Sequence, residues 1–298
     1  MASKWTTADI PDQTGRHILI TGANRGLGFE AALALAAKNA TLTLGVRNLN
    51  AGEQAVAKIK AKFPAAKIDL RQVDLQSLAS LKEFSDSITS PIDVLIHNAA
   101  AIMVDRGKTA DGYETHMGVN YIAPYALTLW LLPRLNATAG ARIVNMASTA
   151  HKLTKSFRPD DFTFTTGTYT PMEAYGRSKL ADLLFTNGLN TYLRQTGART
   201  IAVACHPGYT ATNMDIGGFG MRLATRLLAQ KPEIGVLPML YAATASGVKE
   251  NDFIGPQGLA ELGGYPGPAK RNKAAQDPAL QRQLWEATSR ATGLLYPV

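Results

Sequence analysis

Six short apolar runs, the first five each followed by a helical stretch, constrain this chain more than any other feature. They fall at 17–21, 41–46, 67–72, 92–97, 141–147 and 199–205 and are rich in β-branched residues or leucine. Helical periodicity covers 26–38, 49–62, 77–88, 111–135, 172–195, 232–246 and 277–291. A run as continuously apolar as Val94-Leu95-Ile96 has to be covered on both faces, as in a parallel sheet. Right-handed crossovers through the intervening helices then predict a doubly wound α/β fold, a parallel sheet of six to seven strands with helices on both faces. The seventh strand is a short segment near Asp252 to Gly255. With no repeat, low-complexity tract or linker, residues 1–298 read as a single domain. A sheet of this kind takes its ligand at the carboxyl ends of the strands.

The first strand supplies such a place. His17 to Thr21 runs into Thr21-Gly22-Ala23-Asn24-Arg25-Gly26-Leu27-Gly28 and an Ala/Leu-rich helix, Phe29 to Lys38. A strand, a glycine turn and a helix N-terminus bind anions, because free amides and the helix dipole point the same way. Gly22 permits the tight turn, Gly26 lets the backbone approach a pyrophosphate, and Gly28 lets the helix pack closely on the sheet. The spacing is Gly-x-x-x-Gly-x-Gly, which departs from the generic dinucleotide fingerprint.

Far along the chain stands Tyr175-Gly176-Arg177-Ser178-Lys179. Tyrosine and lysine four residues apart share one helix face. A free phenol titrates near pH ~10, and a fixed ammonium favours the phenolate, drawing proton transfer toward the working range.

Together these motifs resemble the short-chain dehydrogenase/reductase family. The resemblance rests on ordered landmarks: the glycine turn at 21–28, Asp74-Leu75, His97-Asn98-Ala99-Ala100 after a strand, Asn120, Ser148, Tyr175 with Lys179, and Pro207-Gly208. It implies a Rossmann fold and an oxidoreductase that moves a hydride between a nicotinamide and a carbonyl or alcohol. By the same resemblance Tyr175 gives or takes the proton, Ser148 holds the substrate oxygen, and Lys179 lowers the phenol pKa and holds the ribose hydroxyls. Asn120 helps hold a water that feeds protons to Lys179. Thr149 is a rival to Ser148, which is preferred because it directly ends the strand. The family pattern puts Asp74 and Leu75 on the adenine, with Asn98 and Ala99 along the adjoining ribose. The family usually has Gly where Ala100 stands, so a methyl narrows the groove slightly. Asn24, Arg25 and Leu27 belong to the phosphate turn, and Thr210 or Thr212 touches the carboxamide beyond Pro207-Gly208.

The second strand ends Gly45-Val46-Arg47-Asn48, with Val46 where an NAD site carries a carboxylate. A guanidinium binds a 2′-phosphate that a carboxylate would repel, so Arg47, with Arg25 nearby, predicts NADP(H).

Composition excludes several alternatives. No apolar run approaches the ~18–20 residues of a membrane span. Met1 to Gly15 is polar, unlike a secretory leader, and Cys205 is the single cysteine, so a cytoplasmic enzyme is expected. The net charge of +8 is scattered, and Lys270-Arg271-Asn272-Lys273 is its one compact cluster, so no nucleic-acid partner is expected. The five histidines lack ligand-like spacing, and no metal is expected.

Ser148 and Tyr175 are separated by 26 residues, more than the simplest members have. The added piece, roughly His151 to Thr170, resembles insertions in the retinol dehydrogenase, WW-domain oxidoreductase and protochlorophyllide reductase branch, as do Arg47-Asn48, Ser178 to Thr186 and Leu284-Trp285-Glu286. A lid is expected at about 209–230, where apolar residues and Gly217, Gly218 and Gly220 suit a segment closing over a sizeable hydrophobic substrate. Val104, Met103 and Tyr169 are further candidate wall residues. A C-terminal extension follows at about 256–298. The family implies a homodimer or homotetramer through the helices carrying Asn120 and Tyr175, and that extension is placed where it could equally obstruct one such interface. Two rival readings remain: a same-fold enzyme reducing a C=C bond or acting on a nucleotide sugar, and a catalytically idle NADP-binding sensor or scaffold.

Overall fold

The alternation of short apolar runs and helices folds as a single sheet wrapped on both sides. The computed structural model describes residues 4–154, 156–210 and 229–295. Its strands are β1 (His17–Thr21), β2 (Thr41–Val46), β3 (Lys67–Gln72), β4 (Val94–His97), β5 (Arg142–Met146), β6 (Ile201–Cys205), β7 (Phe253–Pro256) and β8 (Pro266–Pro268). They lie in the order β3-β2-β1-β4-β5-β6-β7-β8. All neighbours are parallel except β8, which runs antiparallel to β7. The strand order reverses between β1 and β4, the point at whose carboxyl ends sheets of this kind take a ligand.

The helices are α1 (Gly26–Ala36), α2 (Leu49–Lys62), α3 (Leu78–Ser87), α4 (Ala123–Asn136), α5 (Pro171–Gln195), α6 (Leu237–Thr244) and α7 (Pro278–Thr292). Strand alternation sends Leu19, Leu95 and Ile143 to a core shared with α3, α4, α5 and α7. Ile18, Ile20, Leu42, Leu44, Ile96 and Val203 face the opposite core, with α1 and α6. Burying one such side chain contributes about 1.5–3 kcal/mol.

Three expectations need correction. The sheet has eight strands instead of six to seven, because Pro266-Gly267-Pro268, expected only as part of the C-terminal extension, pairs on the edge of β7, where prolines cost little. The helix expected over 111–135 starts later. Residues before Glu114 form a turn bridged between Lys108 and Glu114, and Glu114 caps a single turn, Thr115–Met117. A π-helical segment, Gly118–Ile122, then leads into α4. The stretch at 232–246 breaks into a short Pro232–Gly235 turn and α6, with Pro238 in the first turn of the second piece.

The C-terminal extension packs inside the subunit. The Tyr121 and Tyr125 hydroxyls meet Thr288 Oγ1 and Ser289 Oγ at 2.6 and 2.8 Å. Trp285 lies edge-on to Tyr125 and stacks with Phe185, at centroid distances of 5.8 and 6.2 Å. α7 thus covers part of α4 and α5 from within the subunit. Among the described residues no helix is long and apolar enough to cross a membrane.

Candidate active site

The glycine turn is rigidly built. Gly22 and Gly26 take φ of +70° and +56°, which glycine alone adopts freely. A methyl on Gly22 would come within 2.7 Å of the Ala99 Cβ, and one on Gly28 within 2.5 Å of the Asn98 Nδ2. The Asn98 side chain donates to the carbonyls of Thr21 and Gly22 at 2.9 and 3.1 Å. The amides of Asn98 and Ala99 donate to Thr21 Oγ1 at 3.1 and 3.2 Å. Asn98, expected along a ribose, therefore spends its amide on fixing the turn.

The turn also leaves donors for an anion. Asn48, Ser77, Thr170 and Asp277 cap α2, α3, α5 and α7 with side-chain oxygens. Arg25, at the N-cap of α1, makes no side-chain cap. The first-turn amides of α1 thus remain for a ligand phosphate. Arg25 and Arg47 are both exposed. Arg47 lines one open depression of about 550 Å³ together with Asp74 and Ser80. Asp74 is held by its own amide donating to Ser80 Oγ at 2.9 Å and by its carboxylate accepting from the Gln76 amide at 3.0 Å. Glycine cradle, uncapped helix and a basic side chain beside Asp74 fit a phosphorylated dinucleotide.

Ser148 follows β5 and starts a 3₁₀ turn, Thr149–Leu153, its Oγ accepting from the Ala150 amide at 3.2 Å. Its carbonyl accepts from the His151 ring at 2.6 Å, and the other ring nitrogen accepts the Asn272 amide at 3.3 Å. The C-terminal extension thereby buttresses the serine turn. Tyr175 lies half-buried on α5, and its hydroxyl makes no hydrogen bond among the described residues. The Lys179 Nζ sits 5.8 Å from the Tyr175 ring centroid. Sequence spacing and structure agree on this shared face.

Lys179 carries a partner that the sequence did not announce. Its Nζ donates to the Met146 carbonyl at 2.6 Å and to Asp182 Oδ2 at 2.8 Å, with both side chains buried. Burial works most strongly against the ammonium, but Asp182, Tyr175 and Cys205 together outweigh it, and Lys179 is held above the ordinary lysine range. Burial pushes the Asp182 carboxyl up to about 6 despite Lys179. The Cys205 thiol is pushed up to about 12 by burial, which leaves it inert as a nucleophile.

Asn120 lies in the π-helical segment, a distortion that recurs at functional sites. Its Oδ1 accepts the Ala101 amide at 2.7 Å, and its Nδ2 donates to the Ala101 carbonyl and to Ser178 Oγ, each at 2.9 Å. It therefore clamps the loop after β4 onto α5. Gly208 has φ +70°, and the Thr210 hydroxyl donates to the Pro207 carbonyl at 2.9 Å. Thr212 and the lid expected at about 209–230, apart from its ends, lie outside the described residues. Among the described residues no cluster of His, Cys, Asp or Glu suits a metal.

A family model described as short chain dehydrogenase matches residues 16–159. Retinol dehydrogenase 13 from Homo sapiens is 32% identical, over 97% of this chain and 87% of the relative. The crystal structure of an uncharacterized protein from Mycobacterium paratuberculosis is 34% identical with a TM-score of 0.84, covering 99% of this chain and 100% of that one. A short chain dehydrogenase from Shigella flexneri 2a complexed with NADP superposes with a TM-score of 0.64 at 22% identity, over 80% of this chain and 96% of that one.

Proposed function

From the premise that this chain belongs to the short chain dehydrogenase family, we propose that it is an NADP(H)-dependent oxidoreductase interconverting a carbonyl and an alcohol on an apolar small molecule. The observation that carries the reading is the buried Lys179 ammonium beneath Tyr175 on one face of α5, at the same strand ends as Ser148 and the glycine turn.

The nicotinamide, when bound, supplies the hydride. Tyr175 delivers the proton to the carbonyl oxygen, or removes it from the alcohol in the reverse direction. Ser148 donates its hydroxyl hydrogen to that oxygen while its lone pair stays engaged with the Ala150 amide, which fixes the direction of donation. Lys179 stabilises the phenolate left on Tyr175 and offers ribose hydroxyls its remaining N–H. Asn120 keeps the loop after β4 against the helix carrying both. Retinol dehydrogenase 13 is named for an apolar alcohol, which supports the same substrate class here.

Consumption of NADPH across a panel of apolar aldehydes and ketones, followed by its absorbance, tests the reading. Turnover is expected with aliphatic or polyene carbonyls. Reduction of enones at C=C alone, or no turnover, would overturn it. Arg47 carries the cofactor preference. Loss of a charge-assisted bond worth about 1.5–3 kcal/mol predicts that Arg47→Asp lowers the NADPH-to-NADH ratio of kcat/KM by roughly 10–100-fold. An unchanged ratio would remove Arg47 from the phosphate site.

A further inference from the structure

Two bulky residues, one in the loop after β4 and one in the segment before α5, hold left-handed backbone: Met103 at φ +53° and Phe164 at φ +54°. Side chains of this size rarely adopt that conformation, and it persists only where the surroundings impose it. Here the surroundings converge on one carboxylate. Glu114 is 2% exposed. Its Oε1 accepts from His116 Nδ1 at 2.8 Å and from the Tyr169 hydroxyl at 3.1 Å. Its Oε2 accepts the Met117 amide at 3.0 Å, and its own backbone amide donates to the Phe162 carbonyl at 2.8 Å.

His116 carries the connection onward. It is fully buried, and its Nε2 accepts the amide of Val104, next to Met103, at 3.3 Å. Two N–H groups cannot face each other, so the ring is the neutral Nδ1–H tautomer, donating to Glu114. The ring also meets Tyr175 edge-on at 6.2 Å. Arg106 closes the circuit, donating to the Phe164 carbonyl at 3.1 Å with its guanidinium 5.3 Å from the Tyr169 ring centre. One buried Glu-His pair thus joins the loop after β4 to the inserted segment before α5, alongside the tyrosine.

We propose that Glu114 and His116 are positioning residues that fix the loop 101–107 and the insertion 156–170 as one rim beside Tyr175, and that this rim selects bulky apolar substrates. The inference rests on the carbonyl-reductase reading. A rim ordered beforehand spares a large substrate the entropy of ordering it. Small substrates that reach only Ser148 and Tyr175 draw no benefit from it. The rim contributes apolar surface at Val104, which is 36% exposed.

The test compares wild type, Glu114→Gln and the milder Tyr169→Phe, which removes only a hydroxyl and keeps the question open to measurement if Glu114→Gln does not fold. Amide hydrogen exchange is read on peptides covering 101–107 and 156–170. The KM and kcat are read for propanal and decanal with NADPH. Exchange in both segments is expected to quicken about tenfold in Glu114→Gln, while peptides of β1 and α1 stay unchanged. The KM for decanal is expected to rise about tenfold, with propanal KM and both kcat values within about threefold. Tyr169→Phe moves the same quantities the same way by less. An active wild type whose variants keep the decanal-to-propanal KM ratio, or loosen only one segment, would overturn the inference alone. A wild type inert toward every carbonyl would instead bring down the reading on which it rests.

Discussion

Tyr175→Phe is expected to lower kcat by about 10²–10⁴-fold, the range a positioned proton donor contributes, while the dissociation constant for NADPH stays within about twofold. The separation follows from what the hydroxyl touches. It has no hydrogen-bond partner among the described residues, so its removal leaves no buried group unsatisfied. Stability should therefore stay within about 0.5 kcal/mol of the parent, measured by denaturant unfolding. The ring, which packs against His116, is retained in the variant. Single-turnover mixing with prebound NADPH puts the loss on the chemical step. Activity within tenfold of wild type would take Tyr175 out of the acid role and reopen the case for an idle cofactor-binding protein.

Lys179→Met should remove activity and stability together, and the two losses can be pulled apart. Breaking a buried pair from one side usually costs about 3–5 kcal/mol, because the other charge is stranded. The stranded Asp182 can escape by taking up a proton, and burial has already raised its carboxyl to about 6 beside the ammonium. Without Lys179 that value rises further. A carboxyl raised in the folded state stabilises the fold at low pH, below its unfolded value, and that contribution is lost as the pH climbs through the folded value. The stability gap between Lys179→Met and wild type is thus expected to narrow by about 1–2 kcal/mol from pH 7 to pH 5, the variant gaining about 1.4 kcal/mol per unit across a wider interval. The double variant Lys179→Met/Asp182→Leu should recover stability at pH 7 and remain inactive. A gap independent of pH would show that Asp182 is not the group left uncompensated.

Much of this is legible in the sequence, for identifiable reasons. The strands at 17–21, 41–46 and 67–72 match to the residue because local apolar pattern and burial coincide there. The glycine turn was readable because its backbone conformation demands glycine at 22 and 26. Local pattern fails where distant segments decide. Pro266-Gly267-Pro268 becomes a strand only because the edge of β7 is there to receive it. Glu114 and His116 read as polar residues of the helix expected over 111–135 until Tyr169, 55 positions later, folds back onto the same carboxylate. Asp182 sits in a run that scans as ordinary helix, and its contact with Lys179 matters only because both are sealed from water. Histidine spacing speaks only to metal binding, whereas the hydrogen bonds of His116 and His151 depend on segments brought together by the fold.

The seat of α7 has a consequence for how the protein is made. α5 ends at Gln195 and α7 begins at Pro278, so a ribosome lays down the catalytic helix well before the helix that backs it. At about 5–20 residues per second, that interval lasts several seconds. Throughout it Tyr121, Tyr125 and Phe185 lack the cover that Trp285, Thr288 and Ser289 will provide. The nascent chain therefore passes through a stage in which these aromatic rings, once α5 has been made, still lack the cover of α7.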